Sequence, residues 1–519
     1  MERNGWSRAL SNAGSGAAMT ITLTLDPQTL TEGQTISASS FVTSVTDSAS
    51  RSITKYSVYD SGADGGYFIL NGVKLSDGAW HNLTAAQFAQ LQYVAGPSGG
   101  SETISVKAYD GKSWSSAYST TEKTTAPSGS SSVSSLLGEL GVSSTITQQV
   151  TSSNSLNYNQ MLTILQDAAV GGMTATKFSA LQTLASMLNQ SGGLSTSAYV
   201  QQIADDVILG NPANAYWNGG SSTTTKLGNL SAKSTQTQVD ELIGKWFLGT
   251  DLPSLSLSGI GESNLNPTYQ TSTLPLFGNT GTPSYLDVNQ GYLGDCYFVA
   301  ALGETALQDP TLIENMITNN GNGTYSVCFY INGQPDYVTV NSQLPVMGGG
   351  YVWSNGSTLE FSNGTVDDWV ALVEKAFVEL NEQTAAASYG GHTAGNAYED
   401  INGGTAITLS EITDQTFNTY NLNPTESTSS LTSLMSTLST DFTEGDEIIL
   451  STPNVDIGNL VGDHMYIVTG INLTNGTVSI QNPWNTAYSG SLQMSFTDTI
   501  AQLASDNVSI YSTTGTKVA

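Results

Sequence analysis

Between residues 19 and 120 apolar and polar positions alternate with period two, in runs such as ITLTL, SITKYSVYD, YFILNGVKL and ETISVKAYD. Gly, Asp and Ser clusters separate them. Period two sends successive side chains to opposite faces of a strand, so the segment predicts a small β-sandwich. Residues 121–132 have the Pro, Gly, Ser and Thr composition of a linker. From 133 to 254 the period changes. Met161, Leu162 and Leu165 fall on one helical face, as do Phe178, Leu181, Leu184, Ala185 and Leu188. SAYVQQIADDVILG and TQVDELIGKWFLG repeat the pattern, each closed by a glycine at the C-cap. A small helical bundle is predicted. From 255 the signals mix: TYSVCFYINGQPDYVTV is a hairpin turning at Asn332 and Gly333, VDDWVALVEKAFVELNEQ an amphipathic helix, and DEIILST, HMYIVTGINL and GTVSIQNPW successive strands. The expected fold is multidomain α+β, and residues 1–18 are expected to be disordered.

Composition narrows the partners. The 519 residues allow two to four domains at roughly 100–200 residues each. Lys and Arg total 14 against 43 Asp and Glu, a net charge of −29. Phosphate recognition needs clustered basic residues, so nucleic acid is excluded as a partner and an anionic membrane surface is disfavoured. No apolar run reaches the length of a membrane span, and the N-terminus lacks the apolar core of a secretory signal. An apolar fraction of 38 % with 23 Tyr is enough for sizeable cores.

The chain has two cysteines, Cys296 and Cys328, and three histidines, His81, His392 and His464. Two cysteines are no disulfide framework. Cys296 follows a Gly-rich turn and opens an apolar helical run, in DVNQGYLGDCYFVAALGETAL. At a helix N-terminus the backbone dipole favours thiolate, and free N–H groups can bind a developing oxyanion. Gln290, six residues earlier, is a candidate second amide donor. His464 stands at the mouth of a strand and Asn482 at the end of the next. Neighbouring antiparallel strands can bring them together, so that the Asn amide oxygen fixes the imidazole tautomer and Trp484 screens that bond from water.

QGYLGDCYFVAAL, WVALVEKAF, YEDINGG, GDHMYIVTGI and QNPW occur in the order and spacing of the calpain cysteine peptidase core, which residues 255–515 resemble. The resemblance implies a papain-like fold of two subdomains, 255–350 with the cysteine and 351–519 with His and Asn. It implies Cys296 as nucleophile, His464 as general base and acid, Asn482 as the orienting residue, Gln290 in the oxyanion hole and Trp484 as shield. Peptide bonds of protein substrates would be hydrolysed through a thioester, and residues 133–254 become a candidate intramolecular pro-segment or regulatory region. Calpain cores also bind calcium; the matching carboxylates are Asp287 and Asp367, whereas NTAYSGSLQMSFTDT supplies no paired acids for a second site. Weak or partial calcium dependence is expected. Tyr297 stands where the family usually has Trp.

Residues 19–120 resemble a cadherin-like repeat of large bacterial secreted and surface proteins, implying a secreted or cell-surface protein exported without an N-terminal signal, with a cytoplasmic protein as the alternative. His392 is expected as a loop-surface residue, His81 as structural and Cys328 as a small core residue. Two other functions stay open: a catalytically silent adhesin or binding protein on a peptidase fold, and a transglutaminase-like acyl transferase, which Asn482 in place of Asp disfavours.

Overall fold

In the computed structural model, residues 20–514 are described except 32, 63–64, 71, 97–99, 126–132, 191–192, 257–264, 279–280, 348–349, 355–366 and 486–491. The expected disorder of residues 1–18 and most of the linker lie outside the described residues. The chain divides into two compact units, up to Ser132 and from Val133.

The first unit is strand-rich. Its strands are β1 (Ile21–Leu25), β2 (Gln28–Thr31), β3 (Thr35–Ser37), β4 (Val42–Asp47), β5 (Lys55–Asp60), β6 (Tyr67–Leu70), β7 (Val73–Lys74), β8 (His81–Thr84), β9 (Gln92–Val94), β10 (Ser101–Tyr109) and β11 (Tyr118–Thr125). Five form a sheet in the order β2-β11-β10-β5-β8, four another in the order β3-β9-β6-β7, and β1 pairs with β4. Val58, Ile104 and Val106 from the first sheet, Phe68 and Tyr93 from the second, and Ile21 and Leu23 from β1 share one core. The alternation explains the sheet's two faces: Tyr56 and Val58 of β5 point inward, Tyr56 stacking on Phe88 of helix α1 (Ala85–Gln90) at 4.1 Å, while Lys55, Ser57 and Tyr59 point outward.

The second unit opens with α2 (Val133–Glu139), α3 (Ser144–Ser153), α4 (Tyr158–Ala169), α5 (Ala175–Leu188) and α6 (Ala198–Ile208). The short strands β12 (Tyr216–Trp217) and β13 (Thr225–Lys226) and helix α7 (Gln236–Ile243) follow. Ser143, Asn157, Thr174, Ser197 and Thr235 cap the helices from α3 to α7 by accepting from backbone N–H groups. Met161, Leu165, Leu181, Leu184, Ile203, Val207, Val239, Leu242 and Phe247 build the bundle core.

Next come β14 (Thr268–Thr271), α8 (Cys296–Gln308), α9 (Pro310–Met316), β15 (Ile317–Asn319), β16 (Thr324–Ile331), β17 (Gln334–Asn341), β18 (Gln343–Met347) and β19 (Gly350–Tyr351). The chain continues with α10 (Trp369–Asn381), α11 (Thr384–Gly390), α12 (Thr408–Thr413), β20 (Thr416–Asn421), α13 (Thr428–Glu444), β21 (Ile448–Ser451) and β22 (Met465–Asn472). It closes with β23 (Thr477–Gln481), β24 (Ser495–Thr499), α14 (Ile500–Ser505) and β25 (Ser509–Thr514). The β16–β17 hairpin turns at Asn332 and Gly333, both with positive φ (53° and 74°), as a two-residue turn of the primed type requires.

The bundle sits on this part of the chain. Tyr199 Oη and Thr339 Oγ1 are 2.8 Å apart, and Gln202 Nε2 donates to Asp336 at 2.7 Å. The buried Lys245 ammonium pairs with Asp251 at 2.5 Å and with Glu382 at 2.6 Å.

β20-β25-β21-β22-β23-β24 form a six-stranded antiparallel sheet. Met465 and Ile467 on one face join the core around α8, while Tyr466 and Val468 on the other pack with Leu431, Met435 and Leu438 of α13. Helix α8 lies between layers and is buried on every side from Tyr297 to Ala306. One expectation changes here. Helix α10 is not amphipathic but buried almost throughout, including Glu374 and Lys375. Its residues share the core of the cysteine helix, as do Leu409 and Ile412 of α12.

Candidate active site

Cys296 is the first residue of α8, delivered by the turn Gln290–Asp295. That turn runs against the backbone of Val352 and Trp353: a Cβ on Gly291 would come within 2.3 Å of the Val352 carbonyl oxygen, so only glycine fits. The backbone N–H groups of Met465 and Tyr297 favour thiolate at Cys296. Burial outweighs them and pushes the thiol up to about 12, with Asp295 adding to the effect.

His464 leaves a turn containing Asp463 in the left-handed region (φ 55°), and its own N–H donates to Thr452 Oγ1 at 3.0 Å. The ring bonds through Nε2 to Asn482 Oδ1 at 3.0 Å. An amide oxygen only accepts, so Nε2 carries the proton and Nδ1 keeps a lone pair. Asn482 is fully buried, just beyond β23; Oδ1 also accepts from the Trp484 N–H at 2.9 Å. The imidazole lies between Tyr466 and Trp484, with both ring centroids 4.9 Å away. Burial lowers His464 to about 4, partly offset by Asn482. Thiol and imidazole are thus both uncharged at neutral pH.

Gln290 is fixed at both ends: its N–H donates to the Pro483 carbonyl at 2.8 Å and its Nε2 to the Leu293 carbonyl at 2.6 Å. One amide hydrogen is therefore turned away from any oxyanion, leaving the other. Asp287 lies near enough to Asp367 for its charge to bear on it: Asp367 is raised to about 8 mainly by burial, then by Asp287 and Asp368. Asp287 Oδ2 accepts from Trp369 Nε1 at 3.0 Å and from the Ser284 N–H at 2.7 Å. The buried Asp367 Oδ1 finds no hydrogen-bond partner among the described residues. Two hard carboxylates, one with an orphaned buried oxygen, fit calcium as a donor set. No group of three or more His, Cys, Asp or Glu that could hold a metal ion occurs among the described residues, so backbone oxygens and water would complete the shell. The region expected to lack a second site includes residues 486–491, outside the described residues.

Two other residues sit differently from expectation. His392 is half-buried rather than on the loop surface, its Nε2 3.2 Å from Tyr297 Oη and its ring against Phe377. Tyr297 donates to the Ile401 carbonyl at 2.8 Å, so His392 is the donor in their contact. Cys328 is half-buried on the outer face of β16 rather than in the core, its thiol raised to about 11 by burial. His81 bonds to the Ser76 carbonyl at 2.8 Å.

Sequence reasoning missed two buried acids. Asp295 and Glu374 lie side by side beneath the Cys296 turn, Glu374 accepting from the Ser354 N–H at 3.1 Å. Burial raises both; the hydrogen bond between them partly offsets the rise at Asp295, while the Asp295 charge raises Glu374 further. Glu304, fully buried on α8, accepts from the Val468 N–H of β22 at 3.1 Å. It ties the cysteine helix to the strand that follows His464.

Residues 268–498 match the calpain family cysteine protease family. Calpain-13 of Rattus norvegicus is 27 % identical over 171 residues, 32 % of this chain and 23 % of its own. Calpain-B of Drosophila melanogaster is 27 % identical over 205 residues, 37 % of this chain and 21 % of its own. The calpain-2 catalytic subunit of Bos taurus is 31 % identical over 133 residues, 24 % of this chain and 18 % of its own. The chain thus matches 18–23 % of the length of these relatives. Its second unit carries a calpain-like cysteine peptidase core. Fibronectin(III)-like modules of Clostridium thermocellum CbhA align at 18 % identity over 21 % of this chain and 47 % of theirs, with a TM-score of 0.13 that defines no fold. The cadherin-like resemblance finds no support in these comparisons.

Proposed function

We propose that the second unit is a cysteine endopeptidase acting through Cys296, His464 and Asn482. The observation that carries this reading is the buried His464–Asn482 hydrogen bond of 3.0 Å, which leaves Nδ1 unprotonated on the residue next to Met465, whose N–H favours thiolate at Cys296. Because burial keeps both groups neutral, His464 takes the thiol proton as Sγ attacks the peptide carbonyl, rather than holding a preformed ion pair. The Cys296 N–H and the second amide hydrogen of Gln290 receive the oxyanion. The imidazolium, stabilised by Asn482, gives its proton to the leaving amine and a thioester remains. Water, deprotonated by His464, then releases the acid and restores the thiol. Trp484 covers the His464–Asn482 bond on one side.

Asp287 and Asp367 would hold calcium, whose charge would offset their mutual repulsion and fix the segment before Cys296 against α10. The bundle's contacts run to β16, β17 and Glu382, so it serves as a support of the Cys296 half rather than a plug over the thiol. A catalytically silent binding protein is disfavoured because it has no need of a tautomer-fixing amide beside a helix-start thiol. Hydrolysis of a quenched-fluorescence casein by the purified chain tests the proposal. Cys296→Ala is expected to abolish it with melting unchanged, and full activity in that variant would end the reading.

A further inference from the structure

Asn485 follows Trp484 and closes the turn that begins at Asn482. Its backbone is left-handed (φ 47°), and its N–H donates to the Asn482 carbonyl at 3.0 Å. Asparagine tolerates that region because its short amide can bond backbone close by. Here the amide reaches elsewhere. Nδ2 donates to the Leu286 carbonyl at 2.9 Å and to the Val288 carbonyl at 3.3 Å, 199 and 197 residues earlier in the chain. Both hydrogens of one amide are thus spent on the stretch that leads into Gln290. Two residues after Val288, the Gln290 N–H donates to the Pro483 carbonyl at 2.8 Å. Segments 286–290 and 482–485 are therefore laced together by hydrogen bonds donated from both sides.

Each segment carries part of the site. The first leads through Gln290 to Cys296, and buried Val288 anchors it in the core around α8. The second holds the imidazole: Asn482 Oδ1 accepts from His464 Nε2 at 3.0 Å and from the Trp484 N–H at 2.9 Å, and the Trp484 ring lies 4.9 Å from that of His464. The placement of Gln290 relative to His464 is set across this lacing. The Gln290–Pro483 bond is made by backbone alone, whereas the bonds to Leu286 and Val288 need a side-chain donor at a position of positive φ. We propose that Asn485 is a positioning residue for peptide hydrolysis, a role that rests on the peptidase reading above. Its amide holds Gln290, the oxyanion donor, in register with the His464–Asn482 pair. Misplacement of reacting groups by about 1 Å can cost about 100-fold in rate. With the Pro483 bond kept, loss of the amide is expected to cost about tenfold.

Asn485→Gly separates the amide from the backbone, because glycine adopts the same φ without strain and keeps the N–H that bonds Asn482. Hydrolysis of a quenched-fluorescence peptide by the full chain is measured with calcium in excess. Rates are normalised to the Cys296 labelled by a peptidyl epoxide, which removes any unfolded fraction. For Asn485→Gly, kcat is expected to fall about tenfold with KM within about twofold of wild type. Affinity for a peptide aldehyde, whose thiol adduct sets an oxygen against the oxyanion donors, is expected to fall in parallel. Asn485→Asp has the same shape but only accepts hydrogen bonds, and is expected to lose at least as much. A kcat for Asn485→Gly within about twofold of wild type overturns the positioning role and leaves the catalytic reading standing. A loss confined to Asn485→Asp assigns the effect to the added charge and overturns the role as well. Wild type that labels or fails to label at Cys296 but hydrolyses no peptide overturns the catalytic reading itself, and the role with it.

Discussion

Replacing Asn482 with alanine isolates the step on which the proposed chemistry depends. Asn482 is fully buried and its Oδ1 accepts two hydrogen bonds, from His464 Nε2 at 3.0 Å and from the Trp484 N–H at 2.9 Å. Removing the acceptor leaves a buried N–H on His464 unsatisfied, at a cost of about 1–3 kcal/mol. The tautomer with the proton on Nδ1, useless as a base towards Cys296, then competes. At 1.36 kcal/mol per decade, kcat/KM is expected to fall roughly 10- to 100-fold. The loss falls on kcat, with KM little changed, because Asn482 lies behind the imidazole. Asn482→Asp keeps the acceptor and adds charge, which favours imidazolium. His464 should rise from its depressed value of about 4, moving the acid limb of the kcat/KM profile to higher pH. Initial rates on a quenched-fluorescence peptide between pH 4 and 8 give both quantities. A kcat/KM within twofold of wild type for Asn482→Ala would refute the reasoning.

Three further outcomes follow from buried charges. Lys245→Ala leaves Asp251 and Glu382 without their cation and should destabilise the second unit by about 3–5 kcal/mol in chemical denaturation; an unchanged midpoint would contradict the ion-pair assignment. Because Asp367 is held up to about 8, the proposed calcium would have to displace its proton, so its affinity is expected to weaken by about tenfold per pH unit below 8. Isothermal titration in two buffers of different ionisation enthalpy would show the proton release, and Asp367→Asn should remove it. His464 is depressed from 6.5 to about 4, so the unfolded chain binds the extra proton between those values. Its contribution of about 3 kcal/mol is present above pH 6.5 and lost as pH falls through 4. Relative to His464→Gln, wild type should lose stability over that window; parallel melting curves would contradict it.

Much of the candidate site was legible because its parts are local. A thiol after Gly-rich sequence at the start of an apolar helix, a histidine at a strand mouth and an asparagine at the next strand's end each carry their own signal. The Asn332–Gly333 turn and the capped helices of the bundle are local too. What was not legible depends on distant partners. Glu374 and Lys375 read as the polar stripe of an amphipathic helix, yet Ser354 and Asn341, which satisfy them, come from separate loops and strands. Glu304 is decided by a strand more than 160 residues later. His392 lies in a Gly-rich loop with no periodicity, and the Tyr297 hydroxyl and the Phe377 ring, both distant in sequence, fix it. Cys328 sits in an unbroken apolar run, which period-two logic cannot divide into faces.

The most direct test of the central claim is covalent labelling of the intact chain by a peptidyl epoxide, read by peptide mass. The account predicts one adduct, on Cys296, slowed strongly by His464→Ala and absent in Cys296→Ala, with Cys328 unmodified. Cleavage of casein by a chain in which Cys296 is absent, or preferential labelling of Cys328, would contradict it.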